Sequence, residues 1–453
     1  MLWTVRERYI AMALQTLRAA LLVSVLTLLP AANATVAAAD TNLNREFAPF
    51  WAVFDRIKAD YVDPTDDKKL VDGAIDGMLK SLDPHSSYET GTEYDNLRSL
   101  TDGNYGGLGL SVTLEQGAVK VIAPTADTPA WRAGLKPGDY ITHINGEFII
   151  GDSINEAVDK MRGKPGTSVT LTILRSGREK PFDVTLTRAI IEIKPVKWEL
   201  KGQIGVITIS QFSRNAGSEV RQALLGIDRK LGHHALGYIV DLRSDPGGLL
   251  NEAVDVSDEF LESGEIVSQR SRDPRDTLRW NARPGDDAHG LPLIVLVDIG
   301  SASASEIVAG ALQDHHRALI MGQRSFGKGS VQSIFEFGGK RALRLTTARY
   351  YTPSGRSIQE GGIEPDIAVP QLSDPDYNSK LQPREADLRR HLINQNKVDN
   401  KLLESDTKPD PRFSATPEEL KSKGVTDFQM TYAIDTLNRL AKSPAGLAQM
   451  GAK

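Results

Sequence analysis

The chain has 453 residues, 40% of them hydrophobic and 25% charged, with 39 Gly, 23 Pro and no Cys. That length points to two or three domains, and the apolar fraction excludes wholesale disorder. Without Cys there is no disulfide scaffold, zinc–thiolate site, iron–sulfur cluster or cysteine nucleophile, and a formal net charge of −5 gives no basic footprint for nucleic acid.

Arg6, Arg8 and Arg18 precede an apolar run, AALLVSVLTLLP, at 19–30. It is shorter than the about 20 residues a membrane-spanning helix requires. Ala32-Asn33-Ala34 and Ala37-Ala38-Ala39 follow. Charged, then apolar, then small is the order of a secretory signal peptide, here 1–39, with cleavage expected after Ala34 or Ala39. The protein is therefore expected to be exported, held by its core rather than by disulfides.

Residues 40–100 read as a helical segment. Phe47, Phe50, Trp51, Phe54, Ile57 and Tyr61 recur every three or four positions, an apolar stripe expected to be buried on the body or on a partner subunit. Ile75, Met78, Leu79 and Leu82 form a second stripe, and Asp63-Pro64 and Asp83-Pro84 break the helices. Residues 101–190 change character: Leu110, Val112 and Leu114 alternate, as do Val169, Leu171 and Ile173, with turns at Asn145-Gly146 and Ser176-Gly177 and a short helix at 154–162. This is a small, mostly β module.

Residues 191–370 alternate strands and helices. Strands are expected around Ile204–Ile209, 235–242, Leu293–Val297 and 318–321, with helices over 216–231, 249–261 and 306–315. The pattern implies a sheet covered on both faces. Residues 371–412 are polar and read as a linker or extended arm. Thr416-Pro417-Glu418-Glu419 is a capping box that opens a closing helical segment with Phe428, Tyr432, Ile434, Leu437 and Ala441.

Three stretches could carry chemistry. Gly300-Ser301-Ala302-Ser303-Ala304-Ser305-Glu306 joins a buried strand to a helix, where free N–H groups can hold an oxyanion; a plain N-cap serine cluster has the same look. Gly322 to Gly329 nearly matches a phosphate-binding loop but has Gly329 where the magnesium-binding hydroxyl belongs. A nucleotidase is thereby disfavoured. A lysine in such a loop can instead be desolvated, and a neutral amine activates a hydroxyl without histidine. Asp241 to Gly248, at a strand's carboxyl end, finishes in paired glycines whose N–H groups could complete an oxyanion hole. The His pairs at 233–234 and 315–316 lack the spacing of a helical metal site, so neither metal nor cofactor is expected.

Together, Ser-Ala-Ser-Ala-Ser-Glu (301–306), Gly-Lys-Gly-Ser-Val-Gln (327–332), Asp-Leu-Arg-x-x-Pro-Gly-Gly (241–248) and Tyr-Thr-Pro-Ser-Gly-Arg-Ser-Ile-Gln (351–359) resemble the carboxyl-terminal processing proteases, the tail-specific serine peptidases with a Ser/Lys dyad. The resemblance implies an α/β protease core of the crotonase-like, tail-specific protease type (191–370, with part of 85–100), an inserted PDZ domain (101–190), and helical N- and C-terminal segments (40–100 and 371–453). It implies Ser303 as nucleophile, Lys328 as general base and Gln332 as the residue that orients it. The N–H groups of Ala304 and of Gly247 or Gly248 would form the oxyanion hole. Asp245 stands where the family often has Asn, a departure expected to leave the main-chain donors untouched. In the PDZ domain, Gly107, Leu108, Gly109 and Leu110 resemble the loop that captures a peptide's terminal carboxylate, and Arg162 resembles the arginine that couples peptide binding to activation. Implied partners are protein substrates with accessible C-termini, for some members a periplasmic adaptor, and further copies of the chain, the stripe at 47–61 and the helix at 416–441 being the candidate contacts. The periplasm is the implied compartment. A non-catalytic PDZ scaffold that binds C-termini without cutting is the competing reading.

Overall fold

The segments Ile204–Ile209, Gly237–Asp241 and Leu293–Val297 carry apolar side chains on both faces, and nearly every one is buried in the computed structural model. They are adjacent strands of a six-stranded sheet. Its order is Val196–Lys201, Ile204–Ile209, Gly237–Asp241, Leu293–Val297, Leu319–Gly322, Ile367–Ala368. The first pair is antiparallel and the rest run parallel. The structure describes residues 30–115, 117–149, 154–192, 194–375, 377, 383–394 and 410–442. They fall into two compact units, divided between Gly77 and Met78.

One face of the sheet packs Ile207, Ile209, Val240 and Val295 against the helices Ala216–Leu231, Leu250–Asp258 and Ala304–Asp314. On the other, Val206, Ile239, Ile294 and Leu296 meet Ala433 and Leu437 of the helix Phe428–Lys442. The closing helix, offered from sequence as a subunit contact, thus has its apolar face on its own sheet. Because Gly237–Asp241, Leu293–Val297 and Leu319–Gly322 are parallel neighbours, the loops that follow them leave from one edge. Those loops are the three motif stretches, and a carboxyl edge is where open α/β sheets place their sites.

A second, five-stranded sheet was not legible in the sequence. Its long strand Arg341–Tyr351 pairs with Ser87–Thr90, Glu265–Ser271 and Ser330–Glu336, and Leu278–Asn281 closes one end. The helical segment expected over 40–100 is therefore interrupted: Ser87–Thr90 is a half-buried strand in register with Arg341 to Arg344, and a helix, Thr92–Asp102, follows it.

The β module is a separate sheet ordered Leu110–Glu115, Ala118–Pro124, Tyr140–Ile144, Ser168–Leu174, Phe182–Thr187. Its core holds Val119, Val121, Ile141, Val169, Leu171 and Ile173. Chain entry and exit pair with each other, Asn104–Gly107 against Ala189–Glu192, so the module hangs from a two-stranded neck. The neck is tight: a Cβ on Gly106 would lie 2.2 Å from the Gly163 carbonyl oxygen.

Along the helix Pro30–Asp60, Phe47, Trp51 and Tyr61 just beyond its end are 42%, 56% and 63% exposed, while Phe50, Phe54 and Ile57 are half-buried. The rings meet edge to face, Phe50 against Trp51 at 5.3 Å. The polar arm is also more than a linker, since Glu385 and Asn394 are buried. The expected leader falls outside the described residues as far as residue 29, and no helix among the described residues is long and apolar enough to cross a membrane.

Leu437→Ala is expected to cost about 2–5 kcal/mol of unfolding free energy, the loss from an enclosed core leucine. Urea denaturation of the purified variant measures it. A change below about 1 kcal/mol, the scale of a surface substitution, would show that the helix does not belong to the core.

Candidate active site

The site is organised by a carboxylate. Glu306 lies in the first turn of the helix Ala304–Asp314 and is fully buried. One oxygen accepts Ser325 Oγ at 2.6 Å and the Gly327 N–H at 2.7 Å; the other accepts the N–H groups of Ser303 at 2.8 Å and Lys328 at 2.9 Å. The last two motif residues thus meet through their main chains on one oxygen atom. Burial pushes the Glu306 carboxyl up to about 7, and its hydrogen bonds oppose that rise. All four partners are donors, so the shell fits the ionised form.

Three serines competed for a role on sequence grounds. Ser301 and Ser305 are fully buried with engaged hydroxyls: Ser301 Oγ donates to the Leu242 carbonyl at 2.8 Å, and Ser305 Oγ to the Asp245 carbonyl at 2.9 Å. Ser303 alone of the three is partly exposed, and among the described residues its hydroxyl bonds no other side chain. Its φ of 56° is a left-handed backbone that a serine rarely adopts. Gly247 presses against this turn; a Cβ there would lie 2.5 Å from the Ala302 carbonyl oxygen and 2.8 Å from the Ala304 nitrogen. Only glycine fits.

The Gly247 N–H is already used, donating to Asp245 Oδ1 at 2.8 Å. Asp245 therefore does take a main-chain donor, against expectation. Among the described residues no acceptor meets the N–H of Gly248, and Ala304, as the first residue of its helix, has no intrahelical acceptor for its own.

Lys328 is partly buried beside Glu306. Burial lowers its amine below the ordinary lysine range, and Arg344 adds to the lowering, while Glu385, Glu306 and Asp83 pull it back up. No hydrogen bond joins the Lys328 amine to the Ser303 hydroxyl among the described residues, an openness common in unliganded sites. Gln332 Nε2 donates to Ser330 Oγ at 2.9 Å and Thr346 Oγ1 at 3.2 Å, and Thr346 Oγ1 donates to Asp83 Oδ1 at 3.1 Å. Gln332 therefore reaches the lysine's surroundings through Asp83, not by a hydrogen bond of its own to the amine. Asp83, His85 and Glu385 were missed by the sequence reading. Asp83-Pro84 reads only as a helix stop, and isolated buried acids leave no periodic signal.

In the β module, Gly107, Leu108, Gly109, Leu110 and Arg162 all line one cavity of about 250 Å³, with Tyr105. It opens along Leu110–Glu115, the strand at the free edge of its sheet, opposite the helix Ile154–Met161. The Arg162 guanidinium lies over the Tyr105 ring at 5.0 Å and donates to Asn96 Oδ1 on the helix Thr92–Asp102. Tyr105 and Arg162 also wall a second cavity of about 610 Å³, whose Arg98 and Asp102 wall a third of about 480 Å³. The third ends on Leu249, the residue after the glycine pair, and on Ile334. A chain of cavities thus follows the helix Thr92–Asp102 from the β module to Leu249.

The sequence pattern of peptidase family S41 matches residues 203–369, that of the PDZ domain residues 120–175, and that of the activating protease CtpB N-terminal domain residues 18–91. Over 355 residues the chain is 49% identical to a carboxy-terminal-processing protease of Bartonella bacilliformis, covering 78% of this chain and 82% of that one. This chain belongs to peptidase family S41, among the carboxy-terminal-processing proteases. It is also 36% identical over 329 residues to a probable CtpA-like serine protease of Staphylococcus epidermidis, covering 72% of this peptidase and 65% of that protein. Of solved structures, the photosystem II D1 C-terminal processing protease aligns with 71% of this peptidase and 92% of its own chain, at 27% identity and a TM-score of 0.42. The α/β protease core with an inserted PDZ domain and helical end segments is the fold expected from sequence.

Asp245 offers a test of the peptidase's electrostatics. It is fully buried, among the described residues its Oδ2 has no partner, and burial pushes its carboxyl up to about 7. Between the unfolded value near 4 and that value, the folded form keeps a proton that the unfolded chain releases. Stability is therefore lost as pH rises through this window. Asp245→Asn has no proton to release. It is expected to gain on the wild type by on the order of 4 kcal/mol at most between about pH 4 and about pH 7. Urea unfolding at several pH values reads the difference, and a gap that does not change with pH would contradict the assignment.

Proposed function

We propose that this S41 peptidase is an exported serine endopeptidase that receives the C-terminal region of a protein substrate in its PDZ domain and hydrolyses peptide bonds through an acyl-enzyme on Ser303. The observation that carries the reading is the convergence of the Ser303 and Lys328 N–H groups on one oxygen of Glu306. It sets a partly exposed serine, at a strained turn, beside a lysine whose amine burial favours in its neutral form.

Ser303 Oγ attacks the scissile carbonyl carbon as Lys328 Nζ takes its proton. The carbonyl electron pair moves to oxygen, which the N–H groups of Ala304 and Gly248 receive at the positive end of the helix. Collapse of the intermediate expels the amine, to which the Lys328 ammonium returns the proton. Water then attacks the acyl carbon with Lys328 again as base, releasing the new carboxylate and freeing Ser303. Gln332 supports Lys328 through Thr346 and Asp83.

A substrate tail would add a strand to the free edge at Leu110–Glu115, its terminal carboxylate held by the 107–110 loop. The cavity chain past Arg162, Arg98 and Asp102 gives the preceding residues a route toward Leu249 and the glycine pair. The leader-like 1–39 segment supports a periplasmic location. The exposed rings at Phe47 and Trp51 support homo-oligomer contacts through the N-terminal helix or docking of a periplasmic adaptor.

Ser303→Ala and Lys328→Ala are each expected to abolish cleavage of labelled casein and labelling by a fluorophosphonate, with thermal unfolding little changed. The wild-type rate should rise with pH as Lys328 loses its proton. Cleavage at wild-type rate by either purified variant would contradict the dyad. Binding of C-terminal peptides by a wild type that neither cuts nor labels would instead establish the scaffold.

A further inference from the structure

The arm that follows the core returns to the catalytic side. The Glu385 N–H donates to the Phe326 carbonyl at 3.1 Å, and Asn394 Nδ2 donates to the Gln359 carbonyl at 2.7 Å. Between these anchors the Glu385 side chain is fully buried. One carboxylate oxygen accepts Gln359 Nε2 at 2.9 Å, and the other meets His85 Nε2 at 2.7 Å. Gln359 Oε1 in turn accepts the Gly329 N–H at 3.1 Å. Glu385 is therefore tied to the main chain on both sides of Lys328, at Phe326 through its own N–H and at Gly329 through Gln359.

The charged groups facing Lys328 are Arg344, of like sign, and Glu385, Glu306 and Asp83, of opposite sign. His85 bears on the lysine through Glu385. Glu306 and Asp83 each accept four hydrogen bonds, which spread their charge over main-chain and hydroxyl donors. Among the described residues the Glu385 carboxylate has two partners. A carboxylate that is buried yet thinly solvated by donors is costly unless a cation faces it, and the base becomes a cation when it accepts a proton.

We propose that Glu385 is a positioning residue for the peptidase reaction: from the strap 383–394 its buried carboxylate fixes the Phe326–Gly329 loop and faces the ammonium that Lys328 becomes on taking the Ser303 proton. The inference rests on the Ser303 and Lys328 roles proposed above. It makes the polar arm part of the catalytic apparatus. Burial and Arg344 weaken the amine as a base; Glu385 limits how far.

The test uses the full chain, with pH profiles of fluorophosphonate labelling and of casein hydrolysis. Glu385→Gln keeps the size of the side chain and removes its charge. The acid limb of its profile is expected to move down by about one pH unit, because losing the negative charge favours the neutral amine. Its plateau kcat is expected to fall about tenfold with KM unchanged, because the base is weaker and its ammonium less stabilised. Glu385→Asp keeps the charge but withdraws it by one methylene. It should hold the limb at the wild-type pH while lowering kcat, and it serves if the glutamine variant does not fold. A folded Glu385→Gln with a wild-type limb, or a Glu385→Asp with wild-type kcat, overturns the proposal. Lys328→Ala run alongside separates the two readings. If it is active, the base assignment fails; if it is inactive while the Glu385 variants behave as wild type, only the role of Glu385 fails.

Discussion

The fully buried carboxylate of Glu306 is the interaction on which the site depends. Charge that deep is tolerated only when its oxygens are saturated with donors, and four donors from two separate loops supply them. The requirement works in both directions. Residues 325–328 and the turn at Ser303 are placed by their need to satisfy Glu306, and Glu306 stays buried because they do. Being in the first turn of its helix, it also faces the favourable end of the helix dipole. Asp298 does similar work nearby, accepting the N–H groups of Ser244 and Gly300 and so joining the 241–248 loop to the 300–306 loop. The left-handed Ser303 and the glycine pressed against it follow from this crowding.

Around that centre the supporting pieces come from distant parts of the chain. Asp83 and His85 precede the PDZ domain, Gln332 and Arg344 lie on the second sheet, and Glu385 follows the core. The PDZ domain meets the helix Thr92–Asp102 through the Arg162 contact with Asn96 and through cavities that share its walls.

Much of this was legible in the sequence for physical reasons. Runs such as Leu293–Val297, apolar at every position, fit only a sheet covered on both faces, and three glycine- or serine-rich loops after such runs must share an edge if the strands are parallel. The β module announced itself through alternation and Asn-Gly and Ser-Gly turns. The second sheet did not, because strands such as Ser87–Thr90 are half-buried throughout and show no two-residue period. For the stripe at 47–61, periodicity reports amphipathicity, not what covers the face. The choice of Ser303 over Ser301 and Ser305 came from family resemblance; the physical distinction, two hydroxyls consumed by main-chain carbonyls and one left over, exists only in three dimensions. The same holds for Gly247, whose N–H is spent on Asp245, and for the arm, whose polar composition conceals one buried glutamate.

The central claim is that the Lys328 amine serves the Ser303 hydroxyl within a frame held by Glu306. A crystal structure of the full chain with Ser303 Oγ phosphonylated tests it most directly. The account predicts the Lys328 amine within hydrogen-bonding distance of Ser303 Oγ, the phosphonyl oxygen on the N–H groups of Ala304 and Gly248, and the four donors still on Glu306. A modified Ser303 attended by a histidine, with Lys328 turned away into solvent, would contradict it.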